Sequence, residues 1–310
     1  TTIEAAVGAS SPNDMIIVTN GTYYPVSEIQ VYNNKTIRSV NGASVTTVDA
    51  QNLHRVFKVS YGTIDGFTIV NGYTNDGAGV YMYGGVVQNC IIRSNYARET
   101  SYPFGRGGGI YAQNDAVIED SILESNKCYG GPGAGIFCLK STVRNCIVRN
   151  NYFSPAAGEC QGAGIYCATT SLVENCTILG NRAESTSCQW AYGGGVSCEG
   201  GSTVRNCLII NNTVYSQKPD YLTYYAHGGG IWVYDGTVEN CTIASNSVNC
   251  VSNEFALGGG VYLYDDAVVR NCIIYHNKTA YQSSNYYSLG VNCTYAFCCS
   301  SPLISTGPGH

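Results

Sequence analysis

Apolar and polar positions along this chain return in the same order seven times. Each pass begins at a glycine-rich triplet whose last member is Gly79, Gly109, Gly135, Gly164, Gly195, Gly230 or Gly260. A Val or Ile follows at once, and another residue with an apolar or small side chain stands two places later (Met82, Ala112, Cys138, Cys167, Cys198, Val233, Leu263). Alternation with a period of two marks a short strand with one face turned inward. A second strand places Val87, Ile118, Val143, Val173, Val204, Val238 and Val269 inside. A third carries the column Cys90, Ser121, Cys146, Cys176, Cys207, Cys241, Cys272, with an aliphatic residue two places beyond each. No 3.6-residue periodicity persists, and Gly and β-branched residues dominate, which excludes a helical reading. The pattern predicts an all-β, right-handed parallel β-helix with three short strands per coil and roughly ten coils, forming a rod of about 50 Å at about 4.8 Å per coil.

The distance from one triplet to the next varies between 26 and 35 residues. All the slack falls after a column of asparagines, Asn95, Asn126, Asn151, Asn181, Asn212, Asn246 and Asn277. Fixed strands with variable connections predict loops on one edge of the coil, over Tyr96–Arg106, Tyr152–Gln161, Arg182–Tyr192 and Thr213–His227. A second polar column, Asn89, Asp120, Asn145, Asn175, Asn206, Asn240 and Asn271, precedes the Cys column. Inward alternation slips there by one residue, so each of these must turn the chain, and Asn tolerates the left-handed conformation best after Gly. This column is read as a structural ladder, not as a row of ligands.

Residues 1–14 read as a cap, with a short helix over Thr2–Val7 ended by Pro12 and Asn13. Residues 15–290 read as the solenoid and 291–310 as a tail. A cap of this kind keeps the first coil from pairing with other chains.

Composition narrows the function. Charged residues make up 12% of the chain and the net charge is −5, with no basic patch, so nucleic acid is not an expected partner. No apolar run reaches transmembrane length. The 16 cysteines divide in two. Those in the inward columns are expected to be stacked free thiols, since rungs about 4.8 Å apart exceed disulfide reach. Cys128, Cys160, Cys188, Cys250, Cys293, Cys298 and Cys299 are read as lying in loops or the tail, with Cys160 and Cys188 the candidate bridge and an oxidising compartment implied. No spacing suits a metal, and no cofactor is expected. Seven Asn-x-Ser/Thr sequons occur, at Asn20, Asn34, Asn175, Asn211, Asn240, Asn277 and Asn292. Asn175 and Asn240 are expected to be inaccessible.

The Gly-Gly-Gly-Val-Tyr (258–262) and Asn-Cys-x-Ile-x-x-Asn (271–277) elements resemble the repeats of polymorphic outer-membrane proteins. With the Thr2–Val7 start and the Cys-Cys-x-x-Pro-Leu end (Cys298 to Leu303), the chain is similar also to choice-of-anchor surface proteins of planctomycete and verrucomicrobial bacteria. The resemblance covers nearly the whole chain and implies a β-helix at the bacterial surface or secreted from it. It implies no particular activity.

Enzymes on such scaffolds need clustered carboxylates or a basic residue on an outer sheet face. Here the outward column of the first strand is Tyr81, Tyr111, Phe137, Tyr166, Ser197, Trp232, Tyr262, and the next carries one carboxylate, Glu199. The aromatic column is read as a stacking ladder in preference to a sugar-binding stripe. The loops, with Tyr102, Phe104, Trp190, Tyr221, Tyr224 and Tyr225, are the candidate contact surface for glycans, surface proteins or a second copy. The reading is a non-catalytic extracellular protein, adhesin-like or a fibre subunit. The rival is a polysaccharide lyase or glycoside hydrolase.

Overall fold

The computed structural model describes every residue except 1, 99–104, 155–159, 186–189, 217–224, 251–255, 281–283, 291 and 302–310. The chain winds as a right-handed solenoid of parallel strands. Three long sheets run its length. The first has ten strands, from Ile29–Tyr32 to Tyr286–Ser288. The second has eleven, from Met15–Val18 to Thr294–Ala296, and the third eleven, from Gly21–Tyr23 to Cys299–Ser301. Their register follows the sequence columns: Cys138 pairs with Cys167, Val143 with Val173 and Val148 with Ile178. The inward side chains form one continuous core from Ile3 to Ile274.

At the bend between the second and third sheets the chain is left-handed at every rung, from Asn89 (φ 54°) through Asp120 (φ 49°) to Asn271 (φ 53°). That column is exposed, Asn175 and Asn240 included, so the expected inaccessibility of these two sequons does not hold. A turn residue in this conformation aims its side chain away from the core. The buried ladder is the other column. Asn181 is fully buried; its backbone N–H donates to Asn212 Oδ1 at 2.9 Å, and its Nδ2 donates to Asn212 Oδ1 at 3.0 Å and to Val148 O at 2.9 Å. The same bonds repeat from Asn95 to Asn277. Glycine is required opposite: a Cβ on Gly164 would meet Gly195 O at 2.5 Å and Asn181 Nδ2 at 2.9 Å.

The structure adds sheets that the three-strand reading lacked. A fourth, of eight strands, runs from Tyr73–Thr74 to Lys278–Thr279, and a fifth, of four strands, from Cys160–Gln161 to Ala256–Leu257. Much of the stretches read as loops therefore pairs. The signal lay two places after the buried Asn, where Ala97, Cys128, Phe153, Ala183, Val214 and Val248 resume the period of two. These residues, with Cys160, Cys250 and Ala191, fill a second, smaller core, so Cys128, Cys160 and Cys250 are core side chains rather than loop cysteines.

Both ends also differ from expectation in detail. The N-terminal helix spans Ile3–Ala9, buries Ile3 and Val7, and is capped by Thr2, whose side chain accepts from Ala5 N. Lys35, 2% exposed, donates from Nζ to Val7 O at 2.9 Å, satisfying a carbonyl near the helix C-terminus. At the other end, Thr294–Ala296 and Cys299–Ser301 pair with the preceding coil, so the solenoid continues past residue 290. Phe297 takes the left-handed turn position and Cys298 the thiol column.

Candidate functional site

The outer face of the first sheet is where the solenoid gathers its aromatic side chains. Tyr81, Tyr111, Phe137 and Tyr166 stack with centroids 4.9, 4.8 and 4.9 Å apart. Parallel in-register pairing fixes that spacing, and π stacking tolerates it. At the next rung stands Ser197, wholly buried. Tyr192, from the fifth sheet, stacks instead on Trp232 at 5.0 Å, the spacing a ring at 197 would have kept. His227, paired in register with Tyr192, stacks on Tyr262 at 4.0 Å, and Tyr262 on Tyr287 at 5.5 Å. The ladder thus passes from first-sheet rings alone to first-sheet rings interleaved with rings from the fifth sheet.

This face is largely closed. Tyr111 and Phe137 are each 5% exposed and Tyr262 2%, whereas Tyr81, Tyr166 and Trp232 are half-buried. Arg106 lies over Tyr111 at 5.0 Å and Phe137 at 5.4 Å, while its Nε and Nη2 donate to Asp76 at 3.0 and 2.8 Å. Arg55 lies over Tyr81 at 5.2 Å and pairs with Glu28. Tyr166 donates its hydroxyl to Glu199 at 2.8 Å.

Burial sets the ionisation of these groups. It pushes the phenols of Tyr81, Tyr111 and Tyr262 up. It pushes His227 down to about 3, so this imidazole is neutral at physiological pH. The hydrogen bonds to Asp76 raise Arg106. Among the described residues no three or more His, Cys, Asp or Glu side chains come together as a metal-binding group. The core thiol column stays unbridged, with Cys176 N donating to Cys207 Sγ at 3.5 Å, and burial pushes Cys90 up to about 12.

Of the loop candidates, Trp190 is 40% exposed on the fifth sheet, and Tyr225 is half-buried and edge-on to His227 at 5.6 Å. Tyr102, Phe104, Tyr221, Tyr224 and Cys188 lie outside the described residues, so the bridge to Cys160 stays an expectation from the sequence. Sequence reasoning missed Tyr192 and His227 as ladder members. The available signal was Ser197, the only position without a ring in that column from Tyr81 to Tyr262.

The repeat also matches a known family. The model for the right-handed beta helix region matches residues 15–214 and 164–298, which overlap. The chain belongs to the right-handed beta helix family. A search of curated proteins found no significant match. Among solved structures, this β-helix superposes on an alginate lyase at 16% identity and a TM-score of 0.54, with 94% of this chain covered. It spans 60% of that lyase's length. A mannuronic acid specific family 6 polysaccharide lyase from human gut microbiota is similar at 12% identity, 96% and 79% coverage and a TM-score of 0.50. So is the A-module of an Azotobacter vinelandii mannuronan C-5 epimerase, at 13% identity, 97% and 94% coverage and 0.50. At these identities the likeness is one of fold.

Proposed function

We propose that this β-helix is a non-catalytic surface or secreted bacterial protein, adhesin-like, that holds a partner through its tyrosine-rich edge. The observation that carries the reading is the covering of most of the aromatic column on the first sheet's outer face. The rings that a sugar chain would need to touch are stacked on one another, covered by Arg106 and Arg55, and joined by Tyr192 and His227. The acid and base groups beside them are engaged with each other or, like His227, neutral by burial. A general acid–base pair needs access to substrate. The contact surface on this reading comprises Trp190 on the fifth sheet and, from the sequence, Tyr221 and Tyr224, and its partners are glycans, other surface proteins or a second copy.

A second reading, action on a polysaccharide, draws on the lyase and epimerase names among the fold neighbours and on an exposed pair on the same sheet. Tyr234 and Tyr264, 38% and 41% exposed, stack at 5.6 Å and offer a platform for a pyranose ring. One experiment separates the two. The pure protein is incubated with alginate, pectin and neutral polysaccharides, and product ends are followed alongside retention on the same polysaccharides. The proposal expects no turnover. It also expects binding to glycan or protein targets that the Trp190→Ser, Tyr221→Ser, Tyr224→Ser triple variant loses with its β-sheet circular dichroism intact. Steady turnover on any substrate overturns it.

A further inference from the structure

One residue before the exposed turn column, the outer face of the second sheet carries a run of charge that alternates at every coil. Glu119 pairs in register with Arg144, Arg144 with Glu174, Glu174 with Arg205, Arg205 with Glu239 and Glu239 with Arg270. The ion pairs formed within the chain are discrete: Arg144 on Glu119 at 2.5 Å, Arg205 on Glu174 at 2.7 Å and Arg270 on Glu239 at 2.6 Å. In each, Nε and Nη2 of the arginine both reach the same carboxylate oxygen, Oε2. The arginines remain 42–53% exposed. Register within one chain is already guaranteed by the backbone ladders and the buried asparagines. Strict alternation over six coils is therefore more than the fold requires.

We infer that this face joins two copies of the chain antiparallel, about a two-fold axis that passes between the Glu174 and Arg205 rungs. Charge complementarity argues for it. An alternating row of even length, reversed on itself, sets every charge against its opposite: Glu174 faces Arg205, Arg144 faces Glu239 and Glu119 faces Arg270. Each intrachain pair then meets a reversed pair, and the second carboxylate oxygen gains a partner. Copies side by side in the same direction and in register would instead set like against like at all six rungs, and an antiparallel slip of one rung would do so at the five that still overlap. Like-charge juxtaposition strongly disfavours both. A two-fold contact of this kind is closed and self-complementary.

The third sheet, just across the turn, follows the same pairing in volume at its four inner rungs. Its outward column runs Ile122, Ile147, Thr177, Leu208, Thr242, Ile273, with Ile147 and Leu208 each 37% exposed and Ile273 51%. Under the same axis Leu208 lies at the level of Thr177 and Ile147 at that of Thr242, so bulk stands level with space there, while Ile122 and Ile273 at the outer level are both large. Charge selects the axis, and shape agrees with it at the inner rungs.

The test is sedimentation velocity of the full chain over a concentration series at low and high salt. The wild type is expected to dimerise at low salt and to weaken as salt screens the ladder. Glu174→Arg sets plus against plus and Arg205→Glu minus against minus, so each alone is expected to raise the dimer dissociation constant by about tenfold or more. Mixed in equal amounts, the two variants are expected to form a heterodimer. In the mixture the intrachain pair stays broken in both chains, so recovery reports contact between chains. The Glu239→Arg and Arg144→Glu pair repeats the experiment one rung outward, should either first variant fail to fold by circular dichroism. A wild type that is monomeric at every concentration, single variants that associate as tightly as wild type, or a mixture that stays monomeric overturns the inference.

Discussion

At the scale of single residues, two asparagine columns that look alike in sequence do different physical work. The exposed column turns the chain; the buried column satisfies backbone groups that the bend strands. Asn181 accepts from the Asn151 N–H at 3.0 Å and donates to Val148 O, both inaccessible to water. Asn181→Ala leaves these partners unsatisfied and is expected to cost about 3 kcal/mol, roughly 5–10 °C in melting temperature. Asn175→Ala meets only the left-handed penalty, about 1 kcal/mol. Thermal melts of the two variants check the difference, and equal losses would contradict it. The sequence displayed both columns but not which was buried. That depends on where the strand period restarts, and the restart shows only in the apolar residue two places after Asn181 and its equivalents.

At the scale of elements, the three long sheets were legible because every inward position repeats in register and nothing else competes for it. The fourth and fifth sheets were less so. The fourth sheet's strands start right after the buried Asn but are only two to four residues long, so each offers one or two inward residues as its signal. The fifth sheet's follow connections of variable length, so no fixed spacing announces them. The aromatic ladder was half legible: its first-sheet rings form a column, but Tyr192 and His227 enter from another sheet. His227 brings a pH dependence. Its folded pKa lies at about 3, below the ordinary 6.5, because burial penalises the charged ring. The unfolded chain takes up the proton first. Stability from this residue is therefore complete above pH 6.5 and is lost as pH falls toward 3, by about 1.4 kcal/mol per unit. Denaturant melts across that window should show a shallower acid loss in His227→Phe than in wild type. Parallel slopes would mean that the ring is solvated.

At the scale of the whole molecule, a solenoid is a sum of coils and contacts between neighbours, with the ends as its weak points. The N-terminal helix covers the first coil, and Glu4 accepts from Val26 N at 2.9 Å to pin it. Removing residues 1–9 bares the first strand edges and takes from Lys35 the carbonyl it donates to. The truncated protein is expected to lose stability and to aggregate on light scattering, whereas a monodisperse, equally stable product would assign the edge protection elsewhere. The alternating charge row also has a consequence for how such a chain can lengthen. The buried asparagines accept any number of added coils, since each brings its own donor and acceptor. The charges count in twos. Duplicating residues 164–194 would set one Glu174 beside another; duplicating 164–229 would insert Glu174 and Arg205 together and leave the alternation whole. Growth of this solenoid by copying is free in the interior and even-numbered on the surface.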